Sequence, residues 1–301
     1  MKTASWPGVV LALSAAVLWG TTGTAQHFAP ARVSPYWIGA LLLAIAAACF
    51  ALLVAATERG RAARPRAPGL WRRMLLAGAC IAIYNLAFFA GVRLAGVAVG
   101  TTIAIGSGPL FAGAAQALIT RRPPVPLWWL GTALAIGGGA AIAVGGGGVA
   151  PVDPAGMALC LAAGFSYAIY TLSAKSLSTH ASPARASLWV FAIAALIAVP
   201  AAWLIVPSGG DALLAAGSSG WLVVGWLGVV ATGVAYLLFS SALRFISAAT
   251  GVALAMGEPL TAFTLAVLVL GEPLRASGLA GIALILAGLA LVVASERRSA
   301  R

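Results

Sequence analysis

One carboxylate stands apart from every other charge in this chain. Glu258 is the acidic residue that falls well inside an apolar stretch, and Pro259 follows it. A carboxylate at membrane depth costs several kcal/mol unless it is paired or put to use. There it either holds a cation, such as a substrate amine or a coupling proton, or is hydrogen-bonded to helix ends and fixes a bend. Pro259 removes a backbone donor and is expected to free the carbonyl of Ala255, bending its helix near the middle. Pro109, after Gly108, is expected to make the equivalent bend earlier in the chain, without a charge.

Aromatic residues supply the second set. Tyr84, Tyr167, Tyr170 and Tyr236, four of the 5 tyrosines, lie inside apolar stretches rather than at their ends, where an interfacial belt would place them. With Trp19, Phe88, Phe239, Asn85 and Ser107 they have the makings of an apolar, aromatic cavity with a few hydrogen-bonding groups, the usual composition of a small-solute site. The alternative for each is helix packing with its polar atom bonded to a carbonyl. Trp19, Tyr84, Asn85, Phe88, Ser107, Tyr167, Tyr170, Tyr236, Phe239 and Glu258 are therefore the candidate substrate-binding residues, and Pro109 and Pro259 the candidate hinges.

Other chemistry finds no footing. The glycine run at Gly145 to Gly148 lacks the Lys-Ser/Thr ending of a phosphate loop. Cys49, Cys80 and Cys160 are an odd count spread over three apolar stretches, which suits packing rather than a disulfide framework. No metal-ligand spacing or paired nucleophile and base is visible; no cofactor, no metal and no enzymatic activity are expected. His27 and His180 fall in loops.

The elements that must position these residues follow from composition. Of 301 residues, 62% are hydrophobic and 8% charged, against about 25% charged in a soluble domain. A membrane helix takes about 20 apolar residues. Ten such segments are readable, approximately Pro7 to Gln26, Pro35 to Thr57, Met74 to Arg93, Ala95 to Leu118, Leu127 to Val144, Pro154 to Ala174, Leu188 to Val206, Trp221 to Ala242, Ala248 to Leu270 and Ser277 to Ala294. The first is longer than the ~7–15 residues of a signal-peptide core and has a counterpart later in the chain, so it is read as a helix. The fold class is thus an all-α integral membrane protein of ten transmembrane helices. With both termini cytoplasmic, every Lys and Arg except Arg32, Arg93 and Arg275 lies on the cytoplasmic side, as the positive-inside rule requires. That accounts for the net charge of +12 without a nucleic-acid partner. The expected partners are the lipid bilayer and a small-molecule substrate; a monomer is expected, a dimer being the alternative.

The chain also repeats itself. Gly8 to Gly20 lies over Gly156 to Ala168, with Trp19 on Tyr167. Gly108-Pro109-Leu110 lies over Glu258-Pro259-Leu260, and the match continues through Pro123 on Pro273, Gly131 on Gly281 and Gly138 on Gly288. Residues 1–146 and 147–301 read as two five-helix units. An odd number of crossings inverts the second against the first, the arrangement of secondary transporters with a central site between the halves. Glycines 137–139, with Gly278, Gly281 and Gly288, are expected to let helices of one chain approach closely.

The Leu18-Trp19-Gly20 of the first segment, the Gly-Pro-Leu and Glu-Pro-Leu of the fourth and ninth, and the Leu270–Leu274 sequence LGEPL resemble the drug/metabolite transporter superfamily with two EamA-type repeats. The resemblance spans nearly the whole chain and is strongest from Gly251 to Val293. Gly156 to Lys175, GMALCLAAGFSYAIYTLSAK, is similar to bacterial amino-acid exporters. It implies ten helices, cytoplasmic termini in a bacterial inner membrane, and a cavity lined mainly by helices 1, 3, 4, 6, 8 and 9, with 5 and 10 peripheral. The function it implies is secondary or facilitative export of amino acids or related small metabolites by alternating access. Amines, drugs, quaternary cations or sugars are the alternative solutes, and a channel the less favoured class. The sequence departs from a symmetric pattern at Gly108 and Arg122, which occupy the places of Glu258 and Glu272.

Overall fold

The computed structural model describes residues 6–28, 34–58, 69–145, 153–207 and 217–299. Ten helices long and apolar enough to cross a bilayer account for nearly all of them. They are α1 (Trp6–His27), α2 (Pro35–Thr57), α3 (Leu70–Ala95), α4 (Val97–Thr120), α5 (Pro126–Gly145), α6 (Pro154–Leu177), α7 (Pro183–Ile205), α8 (Gly217–Ala242), α9 (Ala248–Leu270) and α10 (Ala276–Ser299). Capping residues set several starts. Asp153 accepts from the Ala155 N–H ahead of α6, Ser182 from Arg185 ahead of α7, and Ser247 from Thr250 ahead of α9. Pro154 and Pro183 sit where a missing donor costs nothing.

Inversion of the halves is written in the packing of α5 against α10. A Cβ on Gly131 would meet the Gly288 carbonyl at 2.6 Å, and one on Gly138 would meet the Gly281 carbonyl at 2.5 Å. Since Gly131 is the repeat equivalent of Gly281 and Gly138 of Gly288, a twofold axis in the membrane plane turns each contact into the other. The same axis relates the α1–α8 approach at Gly8, next to the Ala242 carbonyl, to the α6–α3 approach at Gly91, next to the Gly156 carbonyl. These glycines pack within one chain, where the absence of a side chain lets backbones touch. Gly137 faces nothing within 4 Å.

Two helices break their regularity, both in the second half. Leu227–Val234 of α8 is a π-helix, and Ala255–Gly257 of α9 is a 3-10 turn. In α4, by contrast, the α-helix runs through Pro109 unbroken in type. The bend expected to be shared by both prolines therefore takes different forms. The Ala255 carbonyl, expected to be free, accepts the N–H of Glu258; the tighter turn gives it a donor one residue before the proline.

Several readings of the sequence fall on residues outside the described set: Lys2, Arg32, Arg301, the glycines from Gly146, and the arginines of the α2–α3 connection other than Arg72 and Arg73.

Candidate functional site

Seven of the ten candidate residues meet in one place. Trp19, Tyr84, Asn85, Phe88, Tyr167, Tyr236 and Glu258 line a chamber of about 110 Å³ between α1, α3, α4, α6, α8 and α9, to which α2 adds Leu42. The rings form one connected group. Trp19 packs on Tyr236 at 5.1 Å between centroids, Tyr84 on Tyr167 at 5.2 Å, and Tyr84 on Phe88 at 5.8 Å. Trp19 and Tyr167, the repeat-related pair, meet edge to face at 6.3 Å.

Three candidates lie outside the chamber wall. Phe239 is fully buried beneath it, 5.3 Å from Trp19 and stacked on Tyr167 at 6.1 Å, so it forms the floor. Tyr170 borders a separate small pocket between α6, α7 and α8. Ser107 leans on its own helix, donating to the Ala104 carbonyl, and is pressed against Gly164 of α6. Pro109 is buried on α4, whereas Pro259 faces the space beyond Glu258.

That space is a second cavity of about 610 Å³. It shares Ile105 and Glu258 with the aromatic chamber and is walled by the last turns of α1 (Gly23, Thr24), the first half of α4 (Thr101, Thr102), and the second half of α9. Gly139 and Ile142 of α5 and Ser277 and Gly278 of α10 complete it. Helices 5 and 10, expected to be peripheral, thus help to wall this vestibule though not the chamber. Glu272 and Arg275 stand at its rim. Its size falls in the ~300–1,000 Å³ range of ligand clefts.

Polar atoms around the chamber are unevenly satisfied. Asn85 donates to the Ile81 carbonyl at 3.1 Å. The indole N–H of Trp19 and the hydroxyl of Tyr167 are buried without a hydrogen-bond partner among the described residues. A buried donor left unmet costs roughly 1–3 kcal/mol, so both are groups a solute or water would satisfy. No Lys or Arg side chain lines the chamber among the described residues, leaving Glu258 as its one charged group.

The structure adds wall residues that sequence reading passed over. Thr22, Phe89, Ile105 and Thr232 line the chamber. Thr232 lies within the π-helical stretch of α8, which also holds Gly228 and Gly233. Departures of this kind from α-helical geometry recur at functional positions.

At the other end of the molecule the same helices close. From Ala248 to Gly257 every residue of α9 is buried. Gly8 of α1 abuts Phe245 and Ile246, Lys175 of α6 donates to the Leu243 carbonyl, and Ser187 of α7 meets Ser240 of α8 at 3.0 Å. Arg185 and Glu58 form an ion pair at 2.8 Å there. The chamber therefore adjoins open space at one end of the molecule and packed helices at the other.

Comparison with known proteins agrees with this architecture. The EamA-like transporter family matches twice, over residues 6–144 and 154–294. The uncharacterized transporter YwfM of Bacillus subtilis (strain 168) is 35% identical over 292 residues, 95% of this chain and 93% of that protein. A crystal structure superimposes with a TM-score of 0.80 at 21% identity, covering 98% of this chain and 99% of the other, and shows the same fold.

Proposed function

The chain belongs to the EamA-like transporter family, and from that premise we propose that it is a secondary or facilitative carrier exporting amino acids or related small amine-bearing metabolites by alternating access. The observation that carries this reading is the place of Glu258. It is the lone charge of an aromatic chamber, and it also borders the open vestibule, so a solute passing between the two meets its carboxylate. A carboxylate pairs with an ammonium through charge-assisted hydrogen bonds, and aromatic faces add cation–π attraction. The idle donors of Trp19 and Tyr167 suit the acceptor end of the same solute.

The closed end carries Arg72, Arg73, Arg121, Arg122, Lys175, Arg185 and Arg244, and the open end Arg93 and Arg275. By the positive-inside rule the closed end faces the cytoplasm, both termini are cytoplasmic, and this state is the one open to the outside. A second reading, organic amines or quaternary cations lacking a carboxylate, is favoured by the absence of any cationic side chain from the chamber wall among the described residues.

The test is flux into proteoliposomes of labelled amino acids and their decarboxylated amines, with and without a pH gradient. Protein-dependent movement of amino acids supports the first reading, movement of the amines alone the second. No flux of either class removes both.

A further inference from the structure

At the closed end lies a pocket of about 420 Å³ that neither chamber nor vestibule uses. Its walls are the last turn of α4 (Gln116), the α4–α5 corner (Arg122, Pro123), the start of α5 (Trp128), and the facing ends of α9 and α10. Gln116, Arg122, Pro123 and Trp128 are the repeat equivalents of Ala266, Glu272, Pro273 and Gly278, all four of which line the open vestibule. The pocket is the vestibule's twofold mate. It differs in being narrower, since Trp128 stands where the second repeat has glycine, and in being cut off from the chamber by the buried first half of α9.

Beyond that packing, the amino end of this half is tied by side chains, chief among them one carboxylate. Glu296 of α10 accepts from the backbone N–H of Ser247 at 2.8 Å and the Ser247 hydroxyl at 3.1 Å, and also from the Thr250 hydroxyl. From the opposite wall, Gln116 accepts from the Ala249 N–H at 3.2 Å. The amino end of α9 is thus capped by side chains of α4 and α10, beside a negative charge that favours its dipole. At the open end the repeat equivalents of Glu296 and Gln116 are Gly146 and Ala266, neither of which can make this tie to α4, the repeat mate of α9. The tie is one-sided. A second observation marks the pocket as more than a seam: Trp128 is 2% exposed, and its indole N–H has no partner among the described residues.

We infer that this pocket is the second mouth of the transport path, and that Glu296, with Gln116, is the latch that keeps it shut by holding the first half of α9. The same amine-bearing solute would enter the chamber through this mouth, and with no counterpart of Glu296 or Gln116 in the other repeat the carrier rests with this end closed. The inference builds on the alternating-access reading, but its test requires no substrate.

Cysteines are placed singly at Ala253, fully buried in the closed half of α9, and at Ala266 in the open vestibule, with Cys49, Cys80 and Cys160 replaced by alanine. Purified protein is reacted with a water-soluble thiol reagent. Glu296→Gln, and independently Gln116→Ala, should speed labelling at position 253 about fivefold and slow it at 266, a shift at the low end of ordinary conformational coupling. Unchanged labelling at 253, or faster labelling at both positions, would overturn the latch, because a merely structural tie loosens the fold without closing the far end. A reciprocal shift in a protein that moves no amine or amino acid would leave the latch standing and remove the solute assignment.

Discussion

The two halves of α9 share one helix and live in different surroundings. Ala248–Gly257 is buried throughout, whereas none of Glu258–Leu270 is. The first half packs against α4 and α6, and its amino end is tied by Gln116 and Glu296; the second half leans on α1 and stands away from α4. The first half ends in the 3-10 turn before Pro259. Two crossing helices that touch at one end and part at the other make a passage open to one side. Glu258, the first residue after the turn, sits where contact gives way to space. The comparison teaches that the chamber is reached from the end where the α4–α9 crossing is loosely packed, and it can be tested end by end.

The largest effect is expected at the closed end's ion pair. Arg185 and Glu58 are 13% and 9% exposed, and removing one partner of a buried pair typically costs about 3–5 kcal/mol. Glu58→Ala should lower the melting temperature more than any other substitution named here, and full retention of thermal stability would mean that this end is not held by charge. Next comes a matched pair on α1. A Cβ at Gly8 would sit 2.7 Å from the Cβ of Phe245, while one at Gly23 meets nothing within 4 Å. Overpacking typically costs about 1–3 kcal/mol, so Gly8→Ala should destabilise and Gly23→Ala should not. Equal melting points for the two variants would erase the distinction between the ends.

Glu258→Gln keeps the shape of the boundary residue and removes its charge. Flux of amine-bearing solutes in proteoliposomes should fall about tenfold without vanishing, the loss of one charge-assisted contact in a cavity still rich in aromatics. Unaltered flux would move the solute's ammonium elsewhere. The smallest effect belongs to the open end, where the Trp37 indole donates to the Val206 carbonyl at 2.9 Å and joins α2 to α7. Trp37→Phe should cost about 0.5–1.5 kcal/mol by chemical denaturation. A loss comparable to that of Glu58→Ala would show the open end to be as tightly bound as the closed one.

Much of this architecture is legible in the chain. Ten apolar segments read from composition stand within a few residues of the ten helices, because a bilayer leaves helices few alternatives and demands a fixed length. The repeat could be read from Pro109 and Pro259, or Gly131 and Gly281, since close backbone approach admits few residue types. Candidate site residues are harder. Trp19, Tyr84 and Tyr167 face the chamber while Tyr170, three residues from Tyr167, borders another pocket. Rotation about a helix axis decides this, and a helix hydrophobic on every side gives no polar face from which to read it. Thr232 was hidden for a related reason, since it lies in a π-helical stretch whose turns do not follow α-helical spacing.

By itself, then, the sequence determined the span count, the doubling of a five-helix unit, and the isolation of Glu258, since each follows from residue type along the chain under the rules of a lipid solvent. Only the tertiary structure decided which end is shut, that α5 and α10 wall the vestibule, and that Glu296 grips α9. Those depend on contacts between residues far apart in the chain, and the places where the repeats differ, such as Trp128 against Gly278, show their part only once those contacts are known.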